Sequence, residues 1–223
     1  MSTAPSTISF QDMTQLETLL RHVVPIVPEL PHGMALDRLR QAYIEFARRS
    51  GLIVAKLVLD YQAGVTDYEL VPPDGYEIYM TQGVEHHNGF YWYDGTAGYI
   101  GGLQGSWGNV FPGNSGFRMT SNRTLCLNHT PTADQVGGIK VYVTLLPTEC
   151  VSEIPVAVSV PYGDGIARRV ISDALRIPNK GWTNPALAKG YEMEFNRTVL
   201  SAKQLASRNL QRGPLVARPV RIL

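Results

Sequence analysis

The order of hydrophobic periods along these 223 residues predicts an α+β protein, helical at both ends with antiparallel strands between. Three observations carry that expectation. Residues 34–50 and 184–209 place apolar side chains at helical spacing. Residues 52–147 switch to short β-branched and aromatic runs separated by Gly and Pro. Residues 210–223 follow neither period and read as an extended tail.

Residues 1–7 are small and mostly polar and are expected to fray. Residues 12–24 read as a short amphipathic helix, with Asp12 as N-cap and Leu16, Leu19, Leu20 and Val23 on one side. Pro25, Pro28 and Pro31 then forbid helix and predict an extended connector. A second helix is predicted over 34–50, its core stripe made of Leu36, Leu39, Tyr43, Phe46 and Ala47. Gly51 follows as the residue that ends it in the left-handed region.

Strand-like runs come next at 52–59 and 67–71, flanking a turn near Gly64. Another lies at 76–80 after a turn at Pro72, Pro73, Asp74 and Gly75. Between Gly83 and Gly116 glycine is frequent and interleaved with Phe90, Tyr91, Trp92, Tyr93, Tyr99, Trp107 and Phe111. That pattern fits short strands with tight turns or a long ordered loop. Strands at 123–127 and 138–147 close the block as a small sheet or sandwich.

Helix is expected to return at Ser152, acting as cap, with Glu153, Ile154 and Pro155 as its first turn. Residues 156–160 are β-branched enough for either helix or strand, and Pro161 would kink a helix there. From Gly163 onward Ile166, Val170, Ile171, Ala174 and Leu175 form one helical face. The last helix has the clearest local signature. Asn184 caps it, Pro185 opens it, and Leu187, Tyr191, Phe195, Val199, Ala202 and Ala206 repeat to about Asn209.

The net charge of +1 conceals an asymmetry: residues 1–150 sum to −5 and residues 151–223 to +6. A dipolar chain of this kind suits head-to-tail packing of copies or docking on an acidic partner. The basic groups are dispersed, which argues against a nucleic-acid reader. Residues 195–223 hold six bases and no acid: Arg197, Lys203, Arg208, Arg212, Arg218 and Arg221. Within the tail, Leu215, Val216, Val220, Ile222 and Leu223 are apolar with no core of their own. Such a segment is either disordered or folds onto a partner by strand addition or groove docking.

Cys126 and Cys150 have no metal-ligand spacing and are expected to be buried or half-buried. The N-terminus shows no signal-peptide pattern, and no apolar run approaches the roughly 20 residues of a membrane span. A soluble protein of a reducing cytoplasm is expected. His86 and His87, with Asp94, Cys126 and His129, are the only residues that tempt a metal or hydrolytic reading. Adjacent strand residues point to opposite faces, however, so one ion would rarely take both histidines. Ser106 and Ser115 lie in glycine-rich turns that do not match a nucleophile elbow. Asp164 reads as a turn or cap acid. No catalytic residue, cofactor or metal is called for.

Two stretches resemble the head-to-tail adaptor (connector) proteins of tailed bacteriophages. One is Val27, Pro28, Glu29, Leu30 and Pro31 followed by the Leu36–Arg38–Leu39–Arg40–Ala42–Glu45–Phe46 helix. The other runs from Tyr162, Gly163, Asp164 and Gly165 through Leu175, Arg176, Ile177 and Pro178 to Trp182, Asn184 and Pro185, with Tyr191 and Phe195 beyond. Together they cover about 70 residues at the two ends of the chain, and their motifs concern packing and capping.

The resemblance implies that residues 1–52 and 151–209 form a small helical bundle around an inserted antiparallel β domain, 53–150. It implies a ring of copies, twelve-fold as in that family, below the portal protein, in the neck of a virion assembled in the host cytoplasm. The extended tail, 210–223, would dock on the portal through Arg212, Pro214, Leu215, Val216, Arg218, Pro219, Val220, Arg221, Ile222 and Leu223. The β domain would face the next tail or neck protein, and the inner wall would line the channel for passing genomic DNA, with no membrane involved. The aromatic middle segment also fits a different virion part, a tail-completion or capsid-decoration protein.

Overall fold

The computed structural model describes residues 7–86, 89–92, 117–121, 123–128 and 130–209. The chain is a mixture of helices and antiparallel sheets. Nine strands are described: β1 (Met13–Gln15), β2 (Val54–Tyr61), β3 (Asp67–Glu69), β4 (Tyr76–His86), β5 (Gly89–Trp92), β6 (Phe117–Ser121), β7 (Thr124–Leu127), β8 (Gln135–Pro147) and β9 (Glu153–Pro155). A 3-10 helix spans Leu16–His22, and three α-helices follow: α1 (His32–Ser50), α2 (Val156–Leu175) and α3 (Pro185–Asn209).

Helix α1 forms where the periodicity placed it, two residues earlier at its start. Leu39, Tyr43, Phe46 and Ala47 are buried, and Leu36 is half-buried. Gly51 ends the helix with φ +61°, and its N–H donates to the Ala47 carbonyl. This is the conformation that a residue without Cβ adopts at least cost.

The β region makes a four-stranded sheet in the order β2-β8-β4-β5 and a three-stranded sheet in the order β3-β7-β6. Strand β8 is the spine of the first. It pairs Leu57 with Val141 on one side and Val84 with Val141 on the other. The second sheet pairs Tyr68 with Leu125 and Met119 with Leu125. Strands β2 and β3 flank the Gly64 turn but do not pair with each other; their partners are β8 and β7. The two sheets and the helices contribute to one continuous core, in which Val84, Leu125 and Val141 belong with Leu19, Phe46, Ile166 and Phe195. Burying apolar area in one contiguous cluster is the main stabilising contribution to such a chain.

Several expectations are corrected. Residues 12–24 do not form one α-helix: Met13–Gln15 is strand β1, antiparallel to β9 with Thr14 opposite Ile154. Asp12 is therefore not a cap, and its carbonyl accepts from Val156 N–H at 2.9 Å. The apolar stripe survives, since Leu16, Leu19 and Leu20 of the 3-10 helix and Val23 just after it are all buried. Residues 23–31 are turns rather than a purely extended connector, with Val27 and Leu30 buried.

Ser152 is likewise not a helix cap, because Glu153–Pro155 is spent on the β1 ribbon. Helix α2 starts at Val156 and holds Pro161 inside it. A proline there removes one N–H from the helix ladder. Cys126 is buried, but Cys150 is exposed. Asp164 lies within α2 and not in a turn. In α3 Leu187 is exposed, and Ala188 takes its place against the core.

Candidate functional site

The residues expected to dock follow α3 in the sequence, so the fold bears on them through how that helix is held. Its start is built by local chemistry. Asn184 Oδ1 accepts from Leu187 N–H at 3.1 Å, and the Asn184 carbonyl accepts from Ala188 N–H. That satisfies helix donors that would otherwise be orphaned. The preceding loop is tied back to the end of α2 and the residues just after it: Trp182 Nε1 donates to the Ala174 carbonyl at 3.2 Å, and Thr183 Oγ1 donates to the Ile177 carbonyl at 2.5 Å.

Along its buried side α3 meets α2 at close range. Ser172, fully buried, donates from Oγ to the Ala188 carbonyl at 2.9 Å. One step further along, Gly165 faces Thr198. A Cβ at residue 165 would stand 2.3 Å from Thr198 Oγ1, so the glycine is what lets the two backbones approach.

Phe195 is the anchor of the contact, fully buried, with two guanidinium groups over its ring. Arg49 lies 5.5 Å and Arg169 5.9 Å from the centroid. These arginines belong to a charged network that joins all three helices. Arg169 of α2 pairs with Glu45 of α1 at 3.0 Å, with Asp173 at 3.6 Å and with Glu192 of α3 at 3.6 Å. Arg49 donates to Glu45 at 2.8 Å and to Asn196 Oδ1 at 2.7 Å. Arg176 reaches Glu192 at 2.5 Å, and Arg38 lies 3.9 Å from Asp173.

A second set flanks the first: Arg168 binds Asp164 at 2.7 Å and also pairs with Glu194. Burial pushes the Asp173 carboxyl above its ordinary range, against the opposing pull of Arg169, Arg38 and Arg176. The hydrogen bond from Arg176 holds Glu192 below the ordinary carboxylate range.

The sheet region carries its own polar cluster. Lys140 and Tyr142 of β8 donate to the two oxygens of Glu85 on β4 at 2.9 and 3.1 Å. This is a cross-strand arrangement, Glu85 standing opposite Lys140 in register. Beneath it Gln82 donates to Thr144 Oγ1 at 2.7 Å.

All the candidate docking residues, Arg212, Pro214, Leu215, Val216, Arg218, Pro219, Val220, Arg221, Ile222 and Leu223, lie outside the described residues. So do His87, Asp94, Ser106, Ser115 and His129. His86 ends β4, and Phe90, Tyr91 and Trp92 lie on β5, the edge strand of its sheet. Among the described residues no group of three His, Cys, Asp or Glu could hold a metal ion. Asp164 is engaged by Arg168 and lies 3.7 Å from His22, which makes it a structural acid. The Arg169 network went unforeseen because its members are scattered over three helices and share no local motif. No protein-family model matches the chain, and no curated protein matches it.

Proposed function

We propose that this chain is a structural, non-enzymatic adaptor of a bacteriophage virion, joining the capsid's portal to the tail. Residues 1–52 and 151–209 act as a small helical bundle, 53–150 as the inserted β domain and 210–223 as the portal-docking tail. Copies stand side by side in a ring in the virion neck. The partners are the portal protein, neighbouring copies and a downstream tail or neck protein, while genomic DNA passes through without sequence-specific contact.

One observation carries the proposal. The basic, apolar segment 210–223 follows directly on a helix cross-braced to α1 and α2 by the Arg169 and Arg168 networks. A fixed helix followed by a coreless segment suits a protein that must hold its own shape while inserting an arm into a partner. Two further facts are compatible with it. No described helix is long and apolar enough to cross a membrane. The chain's negative and positive parts also suit a heterologous contact.

Electron cryomicroscopy of the virion tests the assignment. Density for this chain at the junction of portal and tail is expected. Density on the capsid face would overturn it in favour of a decoration protein, and density beyond the neck in favour of a tail-completion protein.

A further inference from the structure

The outer face of α3 is the place in the fold where charge has been left over. Its two acids in the middle turns are used internally, Glu192 by Arg169 and Arg176 and Glu194 by Arg168. What remains outward is Lys189, Arg197 and Lys203, exposed and in no ion pair among the described residues. Between them Met193 is 51 % and Leu200 58 % exposed. Residues 189, 193, 197, 200 and 203 are spaced by four, four, three and three, so they share one stripe. A basic stripe with an apolar centre fits a partner that is acidic with an apolar centre.

The chain carries a segment of that composition. From residue 67 to 80 it has Asp67, Glu69, Asp74 and Glu77, all exposed and in no ion pair among the described residues. Asp67 and Glu69 share one face of β3, an edge strand. Val71 is 71 % exposed, Tyr79 52 % and Met80 41 %. There is no Lys or Arg in sequence between Lys56 and Arg118. Arg123, whose carbonyl accepts from Leu70 N–H at 2.7 Å, makes no ion pair with these acids.

We infer that the occupant of the α3 stripe is a second copy of this chain, presenting its 67–80 surface. The two surfaces differ, so the contact is heterologous and leaves a free surface of each kind at the ends. That geometry builds a closed ring or a filament and not a two-fold dimer. The inference rests on the ring-forming reading above and names the faces that meet.

The test uses the full chain in a concentration series by sedimentation velocity, at low salt (about 10 mM) and high salt (about 1 M), where screening lengths differ by about tenfold. Mass is expected to rise with concentration in low salt and to fall back in high salt. One variant reverses the stripe (Lys189→Glu, Arg197→Glu, Lys203→Glu) and another the acids (Asp67→Lys, Glu69→Lys, Glu77→Lys). Each alone is expected to associate at least about tenfold more weakly than wild type, and an equimolar mixture of the two to regain association.

Circular dichroism checks that each variant is folded. If one is not, Lys203→Gln, Leu200→Ser and Glu77→Gln carry the same comparison. Wild-type association that survives both reversals puts the contact on other faces and overturns the inference while leaving ring formation intact. A wild-type mass that stays flat at every concentration also overturns it, and the adaptor reading is then decided separately by mixing with portal.

Discussion

Tyr76 ties a helix, a sheet and a ribbon together through one hydroxyl. Its oxygen stands 3.0 Å from the Tyr43 hydroxyl of α1 and donates to the Glu153 carbonyl of β9 at 3.2 Å, so Tyr43 is the donor in the first contact. Phe10 packs edge-on against the same ring at 5.1 Å. Tyr76→Phe leaves a buried donor and a carbonyl unmatched and should cost about 1–2 kcal/mol at neutral pH, read from urea unfolding midpoints. Burial also pushes the Tyr76 and Tyr142 phenols up to about 12 and Tyr43 well above its ordinary value. The unfolded chain ionises its tyrosines near pH ~10. The folded state thus holds protons that the unfolded state releases. This stabilisation is complete below about pH 10 and is lost as pH rises towards about 12. The unfolding midpoint should fall over that interval, and by less in Tyr43→Phe/Tyr76→Phe; a midpoint indifferent to alkali would contradict the buried phenol pair. At Gly165 the added methyl meets a β-branched Thr198 that has little freedom to move. Gly165→Ala should therefore cost about 1–3 kcal/mol in thermal or urea unfolding, with partial recovery when Thr198→Ala is added. Of these features the Asn184 cap and Gly51 were legible in the sequence, because their chemistry is local. The Tyr43–Tyr76 contact was not, since nothing near either residue names the other.

At the scale of elements, α3 and the 3-10 helix make an instructive pair. Helix α3 came from the sequence almost intact, since its cap, opening proline and apolar repeat all lie within it. The segment 12–24 has an equally regular stripe, yet three of its residues become a strand. The partner strand lies about 140 residues away, and a local pattern carries no record of it. The same ribbon displaced the expected cap at Ser152, so one long-range pairing accounts for both corrections. Helix α3 should depend on α2 for its rigidity. Arg169 is partly buried and reaches Glu45, Asp173 and Glu192. Replacing it with Gln removes the cation that joins these acids and should cost about 1–2 kcal/mol, discounted for the partial exposure of the pairs. Hydrogen exchange should quicken in α3 more than in β8. Equal change in both would mean that the network is not what braces the helix.

For the whole molecule, the α+β class was legible because the hydrophobic period changes twice along the chain, near 52 and again before 163. Which strands pair was not, because β8 joins β2 and β4 across long separations. The continuous core explains how both kinds of element hold one shape. The segment after Gly213 follows neither hydrophobic period in the sequence, so a chain ending there should melt within about 0.5 kcal/mol of the full chain.

That truncation gives the most direct test of the central claim. The full chain and the chain ending after Gly213 are each mixed with the cognate portal protein and run on size-exclusion chromatography with light scattering. The adaptor account predicts that the full chain moves into a larger complex when portal is added, while the equally folded truncated chain stays behind. A truncated chain that binds portal as well as the full one, or a full chain that never binds, would contradict it.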